Sequence, residues 1–567
     1  MKAAHGSKSS RRVGRSRRRG VSSSRSARFM RAVCPWLRRR SIAPLYSAAE
    51  EAMKKSHVPV LVVGAGAAGT MLTLELARRG IKVRTVDRLP KPGDTSKAIT
   101  VHARTLEMFE RIDRRLVERF LERGIHNRGY VLHLLDGAGK RSEVRPGIDF
   151  TTVDSRYNFI LVHRQNETEQ YLREYTSAHY GIAPDWSTTC VDVKQDETGV
   201  SAILESGGVQ EEVHCHYLVG CDGPNSHVRR AVGFEQQESD YKGTQLQNLD
   251  AFLDGFPDSD DYIHYCAGTD HFIMIVKLPG GFYRLLLSDR GEAAGPNVTP
   301  ERGFMRLVDK HFDGVTLGDV VWHSKWQSSV RLAHTYRKGR VFLAGDSAHV
   351  HSTTGGQGMN CCMQDAYNLG WKLAFVVKKY AHASLLDTYE TERRPIAEQV
   401  ISAASSLHEI FMGHGKDIAE RAQKIRDSEF LAAVVGRCSG VSYTYRGLAE
   451  PPPEGGPAAG DRAPDVDLGR GRTLFDLTRH ASCTLLALPA REEQGAALQA
   501  NLKGLVHRFA PVLEMRTVPP SAALAERYGA SDDDRLLLLR PDGYVALRCT
   551  AGETPKLEAR LHEWFAL

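Results

Sequence analysis

The 567 residues include ten cysteines but no Cys-x-x-Cys pair, so neither a zinc site built on paired thiolates nor a dithiol redox couple is expected. Their scatter over so long a chain fits reduced, cytoplasmic usage. Long apolar runs are missing as well: nothing approaches the roughly 18 to 20 residues that span a bilayer. Net positive charge is missing from the body of the chain. The formal net charge is +8, but residues 1–52 hold fourteen Lys and Arg against Glu50 and Glu51, which leaves residues 53–567 mildly acidic. A nucleic-acid partner for that body is therefore excluded.

What is present begins with an Arg- and Ser-rich leader over 1–52 that has no helical or strand periodicity and is expected to be disordered. Three readings of it stay open: a stretch upstream of the true start at Met53, an organelle transit peptide, or a basic arm for nucleic acid. The remaining length calls for two or three domains.

Val58 to Val63 reads as a buried parallel strand, followed by Gly64-Ala65-Gly66-Ala67-Ala68-Gly69 and a helix reaching Arg79. In this pattern the first glycine permits the turn, the second admits a diphosphate to the backbone amides, and the third lets helix and strand pack closely. The next strand, Val83 to Val86, ends at Asp87-Arg88, where an acid is placed to bind a ribose hydroxyl. The fingerprint alone does not separate FAD from NAD. Two later segments do. Tyr217 to Gly220 leads into Cys221-Asp222-Gly223, and Val341 to Leu343 leads into Gly345-Asp346 and then Gly355-Gly356-Gln357-Gly358-Met359-Asn360 with a helix behind it. Asp346 is placed for a ribityl or ribose hydroxyl, and a helix N-terminus after Gly358 suits the negative charge of a reduced flavin.

Taken in this order, the segments resemble the single-component FAD-dependent aromatic hydroxylases, and the resemblance runs from Val58 to the C-terminus. Loop stretches such as Thr95-Ser96-Lys97, Gln165 to Glu169 and Met412 to Lys416 resemble members that act on phenols, halogenated ones among them. The resemblance implies that Arg104 contacts the FAD phosphates, Gln165 lies near the flavin, and Asp222-Gly223 serve both FAD and NAD(P)H. It also implies that Asp346 and the Gly355 to Asn360 loop hold the ribityl chain and ring. Thr353 stands where relatives carry proline, which loosens that loop.

The fold implied is α/β: a Rossmann-like FAD-binding domain over 53–240 and 332–449, an inserted β-rich substrate domain over 241–331, a linker over 450–460, and a thioredoxin-like C-terminal domain over 461–567. Within the insert, Phe272 to Lys277 and Phe282 to Leu287 read as a hairpin. Its Arg284 and Tyr283 are the catalytic candidates, with His264 and Lys277 behind them, and each also has a purely structural reading. Alternation sends Tyr283 and Arg284 to opposite faces, so at most one meets the flavin.

No metal is expected: His349 and His351 suggest a pair, but no carboxylate or cysteine spacing completes a site. Cys483 has no partner in sequence, which leaves a structural or dimer-forming role. The implied activity is hydroxylation of a small aromatic substrate with NAD(P)H and dioxygen through a flavin C4a-hydroperoxide, by a cytoplasmic homodimer. Two alternatives are another flavin oxidoreductase, such as a halogenase or a polycycle hydroxylase, and a flavin-containing regulatory protein with a basic arm. Trp322 to Trp326 lacks the Trp-x-Trp-x-Ile-Pro pattern expected of a halogenase.

Overall fold

A computed structural model describes residues 53–567 except 95, 258–260, 290–297, 413–417, 448–453 and 530–532. The expected leader, Thr95, the 413–416 loop and Pro451 to Pro453 lie outside the described residues.

The apolar run before the glycines forms the strand Lys54–Val63, whose last four residues are buried. It lies parallel between Val83–Val86 and Val209–Gly220, and the latter is in turn parallel to Val341–Leu343. The register sets Val86, Val63, Gly220 and Leu343 side by side. Four strands thus end at one edge, and the turns beginning Gly64, Asp87, Cys221 and Ala344 all leave from it. In an open parallel sheet this carboxyl edge is where ligands bind.

A second, eight-stranded sheet faces that edge. Its hairpin, His271–Lys277 with Tyr283–Asp289, falls where alternation predicts it. The sheet is not confined to 241–331, however. Gly129–Leu135 pairs in parallel with Tyr262–Ala267 and carries Arg141–Asp149 at the edge, while Gln236–Asp254 and Thr316–Ala333 overrun the expected limits. The expected boundary fails because a parallel pairing needs a distant segment, and nothing local announces that.

Near the C-terminus, Leu513–Thr517, Cys483–Leu488, Arg535–Leu539 and Val545–Thr550 form a four-stranded sheet in that order. The parallel pair is joined through the helix Gln494–Arg508, and Thr554–Trp564 closes the chain. Cys483 is fully buried in this sheet, so it packs the core and is not available to link subunits. The turn at Pro541 to Gly543 reaches back to the helix Gly358–Val377. Asp542 accepts from Trp371 Nε1 at 3.2 Å and Asn368 Nδ2 at 3.4 Å, and Tyr367 donates to the Pro541 carbonyl at 3.3 Å. Beside it, Glu392 joins Lys372 (2.7 Å) to Arg540 (2.6 and 2.8 Å). Burial pulls the Lys372 ammonium down to about 8 despite Glu392, while Arg540 and Lys372 hold Glu392 at about 2 against its own burial.

Candidate active site

Between the carboxyl edge of the parallel sheet and the inner face of the eight-stranded sheet lies a cavity of about 560 Å³. Gly66 and Ala68 line it from the first glycine turn, Gln165 and Glu169 from the helix Gln165–Tyr180, and Gly223 from the second turn. Asp346, Gly356, Gly358 and Met359 line it from the third. The far wall is Tyr130, Ile263, Tyr265, Phe272, Met274 and Leu286, an apolar surface with two phenols in it.

Several expected cofactor residues shape this cavity without facing it. Gly64 has φ +106°, and a Cβ there would stand 2.3 Å from the Cys221 carbonyl; on Gly69 it would stand 1.9 Å from the Gly64 carbonyl. These two glycines are demanded by the turn and by close packing. Asp87 accepts the Ala65 amide at 2.8 Å and the Leu89 amide at 2.9 Å, bracing the loop, and Arg88 is exposed beside it. Asp222 caps the helix His227–Ala231, accepting from His227 N (2.6 Å) and Val228 N (3.1 Å). Asn360 ties the loop beginning at Gly355 together: it donates to the Thr100 and Gly356 carbonyls at 3.0 and 2.9 Å and accepts from His102 N at 3.0 Å. Gly355 offers its carbonyl to His102 Nε2 at 3.2 Å, and the Gly345 amide donates to Asp365 Oδ2 at 3.1 Å.

Arg104 is a correction. Its guanidinium is buried away from the cavity, donating to Glu107 (3.0 Å) and to the Asp542 carbonyl (2.5 Å) over the Tyr544 ring. It braces the C-terminal segment and is in no position to meet FAD phosphates. Tyr283 is a second correction: it packs on the outer face against Phe256, ring centroids 5.4 Å apart. His264 also points outward, its Nδ1 2.9 Å from His133 Nε2, and Lys277 is not among the residues lining the cavity. Arg284 does reach the cavity, but its donors are engaged. It forms a two-pronged pair with Asp250, one arm at 2.8 Å, and donates to the Ser96 carbonyl at 2.6 Å. Both members are about as buried as side chains become, 1% and 3% exposed, so the pair locks the sheet to the loop before Lys97.

The reading of His349 also changes. The first turns of the Gly358 helix bring Cys361 and Asp365 to it, with all three ligand atoms within 4.8 Å. The carboxylate and thiol missing from the local sequence are therefore supplied. Arg393 already takes both, donating to Asp365 at 2.8 Å and to Cys361 Sγ at 3.5 Å, so the cluster is a buried charge network with its cation in place. Burial works against the imidazolium, but Cys361 and Asp365 hold His349 well above the ordinary histidine value. His351 behaves oppositely: burial and then the neighbouring His349 charge push it down to about 4, leaving a neutral ring whose Nε2 has no partner and which lines the cavity.

The residues missed by sequence reasoning are Tyr130 and Tyr265. Their rings lie 4.5 Å apart, the Tyr130 hydroxyl is hydrogen-bonded to Tyr265, and Tyr265 also meets the Gly355 backbone. Burial raises both phenols, so both are neutral. The mostly apolar run Tyr130 to Leu135, followed by Asp136-Gly137, was the available signal for the first.

The cavity fits a dinucleotide with a flat ring. A Cβ on Gly223 or Gly358 would meet nothing within 4 Å, so these glycines open onto free space, and Thr353 Oγ1 is buried without a partner beside them. A family model described as an FAD binding domain matches residues 57–404, and one described as aromatic-ring hydroxylase, C-terminal, matches 456–566. The chain belongs to the FAD-dependent aromatic-ring hydroxylases. The hydroxylase is 38% identical over 515 residues to pentachlorophenol 4-monooxygenase of Sphingobium chlorophenolicum, covering 87% of this chain and 94% of that one. It is 32% identical to 6-methylpretetramide 4-monooxygenase of Streptomyces rimosus, over 88% and 92% of the two chains. Among solved structures it superimposes on the anhydrotetracycline hydroxylase OxyS of Streptomyces rimosus with a TM-score of 0.71 and 28% identity, over 90% of this chain and 99% of that one. The mixed α/β fold and the FAD cofactor of this hydroxylase are those of its relatives. No helix among the described residues is long and apolar enough to cross a membrane.

Proposed function

We propose that this hydroxylase inserts one atom of dioxygen into the ring of a phenol, halogenated or not, with NAD(P)H as reductant. The observation that carries the reading is the Tyr130–Tyr265 pair set in an otherwise apolar wall opposite the glycine loops. With Tyr130 donating to it, the Tyr265 hydroxyl keeps its own proton and can donate a hydrogen bond to the substrate oxygen, which favours the electron-rich phenolate form of the ring. Asn248, which also lines the cavity, is a second polar contact for the ring.

In this reading Gly66 and Ala68 take the diphosphate of FAD, Asp346 a ribityl hydroxyl, and Gly356 to Met359 the edge of the flavin ring. Bound and reduced, FAD supplies the activation of dioxygen. The N-terminus of the Gly358 helix stabilises negative charge on the reduced ring, and the sheet wall keeps water out. Gly223 to Asn225 and Arg331 form the part of the lining left for the nicotinamide. The terminal module, a parallel βαβ pair followed by an antiparallel pair and a helix, supports a thioredoxin-like reading without dithiol function. The enzyme is taken as a cytoplasmic homodimer.

A phenol of one ring is favoured by the ordering of the relatives. The relative at 38% identity is a pentachlorophenol enzyme, whereas those named for 6-methylpretetramide, rifampicin and tetracycline-type substrates lie at 32, 29 and 28%. The test is oxidation of NADH and NADPH by the FAD-loaded protein with phenol, chlorophenols and a tetracyclic phenol, with product identified by mass spectrometry. Hydroxylated or dehalogenated one-ring products support the proposal. Turnover confined to the tetracyclic substrate overturns it in favour of polycycle hydroxylation.

A further inference from the structure

The helix Gln165–Tyr180 packs across the start of the helix Ala67–Ala77 and places Glu169 in the cavity wall. Glu169 is only 8% exposed. It accepts from Gln165 Nε2 at 3.0 Å and from the Ala67 amide, the first amide of the glycine-turn helix. A Cβ on Gly66 would find a single neighbour within 4 Å, the Glu169 carboxylate oxygen at 3.9 Å. The space in front of the second fingerprint glycine is therefore open except for a carboxylate, exactly the kind of group that a diphosphate repels. That helix N-terminus favours an anion, and here two anions are drawn to it.

The charged groups around Glu169 do not offset this. On its own helix the cation is Arg173, 3.6 Å away, and Arg173 also faces Asp87 from the end of the neighbouring strand. One guanidinium is thus shared among the carboxylates of Glu169, Asp87 and Glu174. From the glycine-turn helix comes only the Ala67 amide. Burial already raises the Glu169 carboxyl, with Gln165 and then Arg173 opposing the rise. Adding the negative charges of a diphosphate pushes in the same direction as burial, since like charges in one site disfavour a second ionisation.

We infer that Glu169 meets the diphosphate of FAD as a neutral carboxyl, so that loading the cofactor carries one proton into the site. The inference rests on the reading that the diphosphate sits at the Ala67 helix. Neutral, the carboxyl becomes a donor to a phosphate oxygen and no longer a competitor for the same amides. By linkage, FAD affinity then falls as pH rises, by about 10-fold per pH unit once the free-site carboxyl is ionised. His351 in the cavity wall and the buried His102 are pushed down to about 4 by burial and stay neutral through the alkaline range, so they add no slope there. His349 is common to wild type and variant, and any contribution from it cancels in their comparison.

The experiment titrates the deflavinated full chain with FAD between pH 6 and 9, reading flavin fluorescence, for wild type and Glu169→Gln. The expected result is a wild-type dissociation constant that rises with pH and a flat profile for E169Q, which at pH 9 binds FAD at least as tightly as wild type. A wild type without pH dependence, or an E169Q profile parallel to it, overturns the inference. If E169Q does not fold, calorimetry of FAD binding to wild type in two buffers of different ionisation heat decides: one proton taken up supports the inference, none overturns it. Wild type that binds FAD with no proton uptake sinks only this step. FAD affinity unchanged by Gly66→Val would sink the placement of the diphosphate itself.

Discussion

The two faces of the eight-stranded sheet are built from the same strands and do opposite work. Along Tyr262–Ala267, Ile263 and Tyr265 look into the cavity while His264 and Cys266 look out; along Tyr283–Asp289, Arg284 and Leu286 look in while Tyr283, Leu285 and Leu287 look out. Outside, Phe304, Leu307 and Val308 of the helix Pro300–His311 cover an aliphatic layer, and His271 and His311 meet at 2.9 Å. Inside, the wall is left for a ligand. Alternation fixes that neighbours part company, but which face receives the ligand is decided by what packs on the other.

The largest effect expected is at the pair that pins this sheet to the cofactor fold. Arg284→Ala leaves Asp250 buried and unpaired, which costs about 3 to 5 kcal/mol. Thermal unfolding of the FAD-loaded protein should show it, and a variant of unchanged stability that has lost turnover would instead make Arg284 a catalytic group.

The next effect distinguishes the faces by chemistry. Tyr265→Phe should lower kcat by roughly 10²-fold with stability changed by no more than about 1 kcal/mol. Full activity in this variant would remove the phenol from the proposed mechanism.

A smaller effect concerns acid. Burial, then His271 and His133, depress His311 to about 3, so the folded protein keeps it neutral while the unfolded chain takes up a proton below about 6.5. Stability is therefore lost as pH falls from about 6.5 toward 3, by up to about 1.4 kcal/mol per pH unit for this group. His311→Gln should flatten the slope of denaturation midpoint against pH, leaving the part owed to the other buried histidines held near 4, His102, His163 and His351. An unchanged slope would place the acid sensitivity on those histidines and not on the outer face of the sheet. Smallest of all, Tyr283→Phe should leave kcat within about two-fold and stability within about 1 kcal/mol; a large loss of activity would reverse the assignment of faces.

What the sequence discloses follows the range of the interaction. The glycine turns, the strand Val83–Val86 and the hairpin register Lys277 to Tyr283 are set by residues a few positions apart, and they stand where the pattern puts them. Eight of the expected cofactor residues line the cavity, while Gly64, Gly69, Asp87, Asp222 and Asn360 are spent on holding its loops. The misreadings come from distant partners. Arg104 opens a helix beside the cofactor fold, yet its acceptor lies 438 residues further on. Tyr130 sits in a segment that reads as part of the nucleotide domain and joins the other sheet only through a parallel neighbour. His349 gains its thiol and carboxylate from a helix that turns back on it.

The turn at Asp542 has a consequence in time. Proteins are made from the N-terminus, and early segments fold while later ones are still being added. The indole of Trp371 and the amide of Asn368 are synthesised well before the carboxylate that receives them, and the Arg104 guanidinium earlier still waits for a carbonyl on the same turn. The helix Gly358–Val377 is thus completed by a residue made 171 positions after Trp371. A message cut short before Arg540 would not yield a smaller hydroxylase: it would yield a chain with its polar core exposed, and a substrate for chaperones and proteases.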